Sequence, residues 1–171
     1  KKELRLDLPA DAHIPVTYIA SERLRLEAYR KFAEAADDDT LAGVLEELVD
    51  RYGPLPEEVG RLVSVAKLRL LCREYGIEEV AVTGTQLKIS PMQLPDSKQL
   101  RLKRMYPSAQ YRATTGMVQM PLPRAGSGGV GAERVRDVEL LQYIANFLLA
   151  MDGKAADSVD LGTATGVQAG V

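Results

Sequence analysis

The side chains able to do chemistry are few and scattered. The one histidine, His13, lies in the Pro-flanked stretch "PADAHIP", and the one cysteine is Cys72. Without a second His or a Cys pair, no zinc ligand set can be assembled. His13 alone could serve as a general base, but in a connector it reads as a turn residue. Cys72 falls inside an apolar helical run, where a small buried hydrophobe is the ordinary reading. Gly126, Gly128 and Gly131 satisfy G-x-G-x-x-G ahead of a helix. That stretch follows a proline-rich segment instead of closing a strand-turn-helix unit, and it lacks the Gly-Lys-Ser/Thr of a phosphate loop. A flexible linker explains it better. Carboxylates are plentiful, yet no pair stands out as an acid–base couple. The residues thus predict no catalytic group, no metal site and no cofactor.

Two charged groups remain. The first is in "EELVDRYGPLPEE", residues 46–58, where Glu47 and Asp50 stand one helical turn apart with Arg51 beside them. At i and i+3 they share a helix face. They are either ordinary solvated charges or a fork able to meet arginine. The second is residues 98–124, with Lys98, Arg101, Lys103, Arg104, Arg112 and Arg124 and no acid. That run is either a solvated helix face with its loops or a phosphate-contacting patch.

The elements that must carry these residues follow from periodicity. Leu4, Leu6 and Leu8 alternate with charged residues, which reads as a half-buried strand or the last strand of an upstream domain. Residues 1–15 are therefore strand and connector. Ser21 caps a helix through "ERLRLEAYRKFAEA". Leu41, Val44, Leu45, Leu48, Val49 and Tyr52 form an apolar stripe that ends at Gly53. Pro56 opens a further helix to about Tyr75, apolar on most sides and hence central. The period then changes to two. Hairpins are expected around Thr83-Gly84 and Thr115-Gly116, with a short helix between them carrying the basic run. A last helix spans about 134–151. Residues 152–171, rich in Gly, Ala, Ser and Thr, read as a flexible tail. The prediction is an α+β (α/β) fold in one compact domain over 16–151, with helices packed on a small antiparallel sheet or hairpins.

Bulk properties narrow the function. The 171 residues are 46% apolar, enough for a core. A net charge of −2 and a pI near 5.6 give no general pull toward nucleic acid or anionic membrane. The lack of Trp disfavours a base-stacking platform. No apolar run approaches the ~20 residues of a spanning helix. A single cysteine suits a reducing, cytoplasmic setting. Lys1 opens the chain without Met or a signal segment, and a fragment of a longer protein is expected.

Residues 13–35, "HIPVTYIASERLRLEAYRKFAEA", and 47–77, "ELVDRYGPLPEEVGRLVSVAKLRLLCREYGI", together resemble the C-terminal domain of bacterial transcription-repair coupling factors, the Mfd family. The likeness spans about residues 8–151 and is most specific over 13–77. Tyr52 stands where Phe is commoner, and Pro54 follows the glycine, without disturbing the motif. The resemblance implies a parent that is an ATP-driven double-stranded DNA translocase. Its magnesium- and ATP-binding motor lies outside this chain, so the chain itself should not be an enzyme. It implies docking on an N-terminal UvrB-like module of the same protein, which masks a UvrA-binding face and restrains the motor until RNA polymerase is engaged. It further implies that Glu47, Asp50 and Arg51 form the docking surface. The alternative is an accessory nucleic-acid-binding domain using the basic residues 98–124, among them Lys98, Arg101, Lys103 and Arg104.

Overall fold

The structure, a computed structural model, describes residues 3–124 and 133–162. The elements run in the order β1 (Arg5–Asp7), α1 (Glu22–Glu34), α2 (Asp38–Tyr52), α3 (Glu57–Glu74), β2 (Glu79–Thr83), β3 (Gln86–Ser90), α4 (Asp96–Met105), β4 (Gln110–Arg112), β5 (Met117–Pro121) and α5 (Asp137–Met151). The fold is α+β, as the periodicities predict. By its contacts the chain divides into two compact units, Ala10–Leu70 with Asp160–Val171, and Lys1–Pro9 with Leu71–Val159. The boundary falls inside α3.

The first unit is helical. Ser21 caps α1 by accepting from the Leu24 amide, and Asp37 caps α2 by accepting from the Thr40 amide at 2.7 Å. Both satisfy amides that a helix start leaves open. Ile14, Ile19, Ala28, Phe32, Leu41, Val44, Leu48, Leu55, Val59 and Val63 share one apolar core. The lead sequence "HIPVTYI" has a definite task there. Ile14 and Ile19 enter the core, while the Tyr18 hydroxyl lies 2.8 Å from the Gly53 carbonyl and 3.2 Å from that of Leu48. Tyr18 thereby ties down the Gly53 carbonyl just past the end of α2, which the helix cannot pair itself, and lies close to that of Leu48 one turn back. Gly53 has φ +88°, a conformation a side chain would strain, and turns the chain into Pro54. The Pro56 carbonyl accepts from the Gly60 amide just ahead of α3, which begins at Glu57, one position after the expected first helical residue.

The second unit holds a five-stranded mixed sheet in the order β1-β2-β3-β5-β4. The expected small antiparallel sheet is present: β3 pairs antiparallel with β5, which joins both hairpins into one sheet. The first hairpin turns over Gly84-Thr85, one residue later than expected, with Thr83 opposite Gln86. β1 is a parallel edge strand on β2, with Leu6 opposite Val80. The N-terminal strand, whatever precedes it, is thus part of this sheet. α5 is buried on nearly all sides, with Leu140, Leu141, Ile144, Ala145 and Phe147 fully so.

The tail expected from residue 152 is corrected as far as residue 162. Leu161 is fully buried, and its carbonyl accepts from the Ser64 hydroxyl of α3 at 2.9 Å within the helical unit. In the other unit Asn146 of α5 exchanges two hydrogen bonds with Asp157, and Gln142 donates to the Val159 carbonyl. One well-placed leucine and a few polar contacts hold what composition assigned to disorder. Residues 163–171 lie outside the described residues.

Candidate docking surface

The C-terminal half of α2 is where the charge cluster resides. Leu48 points into the core and Val49 is half-buried against it, so the helix period turns Glu46 and Asp50 outward. Glu47 sits at the boundary. Lys31 of α1 places its Nζ 2.8 Å from each Glu47 carboxylate oxygen. Glu27 stands 3.8 Å from the same Nζ, and Arg51 reaches Glu47 at 3.5 Å. The hydrogen bond from Lys31, with Arg51 adding its charge, holds the Glu47 carboxyl below the usual range. Arg51 also lies 5.2 Å over the Tyr52 ring, which in turn packs on Tyr18 at 5.7 Å. Burial raises the Tyr18 hydroxyl above the usual tyrosine value, so it remains a donor.

Glu47 and Asp50 do share a face as their spacing requires, but their states differ. Glu47 is committed to Lys31. Asp50 is exposed and forms no ion pair among the described residues. The two do not present matching, equally available carboxylates. Lys31 was missed in sequence because its contact with Glu47 spans 16 residues, and only the i, i+4 relation of Glu27 to Lys31 was legible.

The cations of the basic run sit in unlike surroundings. On α4, Arg101 donates to the Ala150 carbonyl at the end of α5 at 3.2 Å, a contact with the negative helix terminus. Lys98 is half-buried, whereas Lys103 and Arg104 are exposed. Beside them Leu100 is 69% exposed, an aliphatic group that adds nothing for a phosphate backbone.

The other candidates resolve simply. His13 is exposed and bonds Asp11 through Nδ1 at 2.8 Å, while Asp11 also meets Arg61. Cys72 is fully buried in the apolar face of α3. Gly126, Gly128 and Gly131 lie outside the described residues. Among the described residues there is no grouping of three or more His, Cys, Asp or Glu able to hold a metal. No described helix is long and apolar enough to cross a membrane.

The TRCF domain family matches residues 8–102. Transcription-repair-coupling factors of Mycobacterium bovis and Mycobacterium tuberculosis are each 55% identical over 161 residues, covering 94% of this chain. That of Staphylococcus aureus is 31% identical over 87 residues, or 51% of the chain. The chain spans only 13% of the length of the mycobacterial relatives. A crystal structure of the C-terminal domain of transcription-repair coupling factor superposes with a TM-score of 0.64 at 17% identity, covering 99% of this chain and 96% of that one. At that identity the superposition supports the shared fold alone.

Proposed function

Given that the chain belongs to the TRCF domain family, we propose that it is the regulatory interaction domain of a transcription-repair coupling factor, docking through α2 onto the N-terminal UvrB-like module of the same protein. The docked state covers the UvrA-binding face of that module and restrains a motor that uses ATP and magnesium elsewhere in the protein. Engagement of RNA polymerase on double-stranded DNA releases it.

The observation that carries this reading is the exposed carboxylate of Asp50, without an ion pair among the described residues, near the end of a helix held at its C-terminal turn. Tyr18 holds the Gly53 carbonyl, Lys31 ties its Glu47 to α1, and Gly53 ends it sharply. A charge mounted on a rigid element loses little freedom when a cationic partner arrives. Arg51 and the tilted Tyr18–Tyr52 pair supply a partly apolar rim beside it. Glu47 contributes by ordering Arg51 and by lending negative potential to the same face.

The test is calorimetric titration of the UvrB-like module into this chain. Binding should occur in trans and weaken by about 2–5 kcal/mol when Glu47→Ala and Asp50→Ala are combined, the cost of opening a desolvated charge pair. Unchanged affinity in a folded double variant would place this surface in solvent.

A further inference from the structure

Away from α2, within the unit that contains the sheet, a cavity of about 100 Å³ opens between the ends of α3 and α5, the segment after β3 and the first turn of α4. Its floor is Ile77, Met92, Leu94, Leu148 and Met151, none more than 9% exposed. An apolar cavity of roughly 150 Å³ accepts benzene, so this smaller one, open at its mouth, suits a body of about four or five carbons.

The mouth is polar and asymmetric in charge. Its one carboxylate, Asp152, already has partners: the Tyr75 hydroxyl donates to it at 2.7 Å, and Lys154 lies 3.4 Å away. Lys154 also sits 5.9 Å over the Tyr75 ring. Lys98 lines the cavity from α4 and, among the described residues, forms no ion pair; Asp152 acts on it only through space. Arg101 stands near, against the Ala150 carbonyl and beside Gly153. The lining thus holds one acid, already bonded to Tyr75 and Lys154, and one cation, Lys98, without a close partner among the described residues and beside an apolar hollow.

We propose that this cavity binds a small aliphatic carboxylate, its hydrocarbon body on the floor and its carboxylate on the Lys98 ammonium. Apolar burial sets the size of the ligand and Lys98 sets its charge. A neutral isostere would fill the hollow but leave Lys98 as it is. A cationic one would be repelled by Lys98.

The experiment follows the Met92 and Met151 methyl resonances of the whole chain during titration with 4-methylpentanoate, and with 4-methylpentanamide as the neutral isostere. Both methyls should shift saturably with the acid, and the amide should bind about tenfold more weakly, the worth of one charge-assisted contact. Lys98→Met keeps the stem and removes the charge. It should weaken the acid by a similar factor and leave the amide unchanged. Absence of any saturable shift at the solubility limit of the acid would overturn the proposal. So would equal binding of acid and amide, or undiminished binding of the acid in a folded Lys98→Met protein.

Discussion

Glu47 and Asp50 should separate cleanly when they are changed one at a time. Glu47→Ala removes both hydrogen bonds from Lys31 and the contact with Arg51. The Lys31 and Glu47 side chains are 36% and 40% exposed, so their pair falls among solvent-screened bridges, worth about 0.2–1 kcal/mol. The Glu47–Arg51 contact, with the acid N-terminal at i, i+4, adds about 0.3 kcal/mol. The sum is near 1 kcal/mol, or ~2–4 °C in melting temperature for a chain of this size. A double-mutant cycle with Lys31→Ala should return the Lys31–Glu47 coupling, and 1 M salt should shrink it, since the screening length is then about 3 Å. Asp50→Ala touches no such contact and should leave stability within about 0.5 kcal/mol. Docking should show the opposite order. Asp50 brings an uncommitted charge, whereas Glu47 must give up Lys31 bonds to bond a partner directly. Titration with the UvrB-like module, alongside melting curves in low and high salt, reads both quantities. Equal loss of docking from the two single changes, with no melting shift for Glu47→Ala, would refute the reasoning. It would mean that Lys31 does not hold Glu47 in solution.

Other outcomes follow from the packing. Leu161→Ala should destabilise the chain by about 2–5 kcal/mol, because a fully buried leucine leaves a cavity, while Asp160→Ala, which removes only an exposed hydrogen bond from the Gly162 amide, should cost far less in thermal melts. A Leu161→Ala protein that melts like the parent would return residues 152–162 to the status of a tail. Asp37, held low by its bonds from Thr40, and Glu47, held low by Lys31, stabilise the fold above the ordinary carboxylate range. That contribution should fade as pH falls through their depressed values, seen as acid lability in melting curves. Burial pushes the Tyr143 hydroxyl up to about 12, with Tyr106 adding to the shift. Its contribution is complete below the ordinary tyrosine value and should be lost as pH rises through about 12, read as late tyrosinate absorbance. In gel shifts at physiological salt the chain should bind DNA weakly. Tight binding abolished by Lys103→Ala with Arg104→Ala would favour the nucleic-acid reading, whereas Arg101→Ala should lower stability, since its guanidinium serves the α5 terminus.

The helices and their limits were legible wherever a local rule decided them. Ser21 and Gly53 act within one turn of themselves, and the apolar stripe from Leu41 to Tyr52 needs no distant information. What sequence could not supply was partnership at a distance. β3 and β5 each read as half of a hairpin, and nothing in "QLKIS" or "MVQMP" says that they pair with each other. Leu161 is one apolar residue among small polar ones, too little for any periodic signal; its burial offsets the ordering of only about two residues, and the hydrogen bonds to Ser64, Gln142 and Asn146 help to hold the rest. The charge cluster shows the same limit at the level of function. Spacing correctly placed Glu47 and Asp50 on one face, and it treated them as equals. α1 packs beside α2, and Lys31 arrives from it to bond one acid and not the other. A fork read from spacing thus becomes a single available carboxylate beside a fixed, internally satisfied network. That arrangement favours a partner that meets Asp50 with one cation and reads the rest of the face by shape.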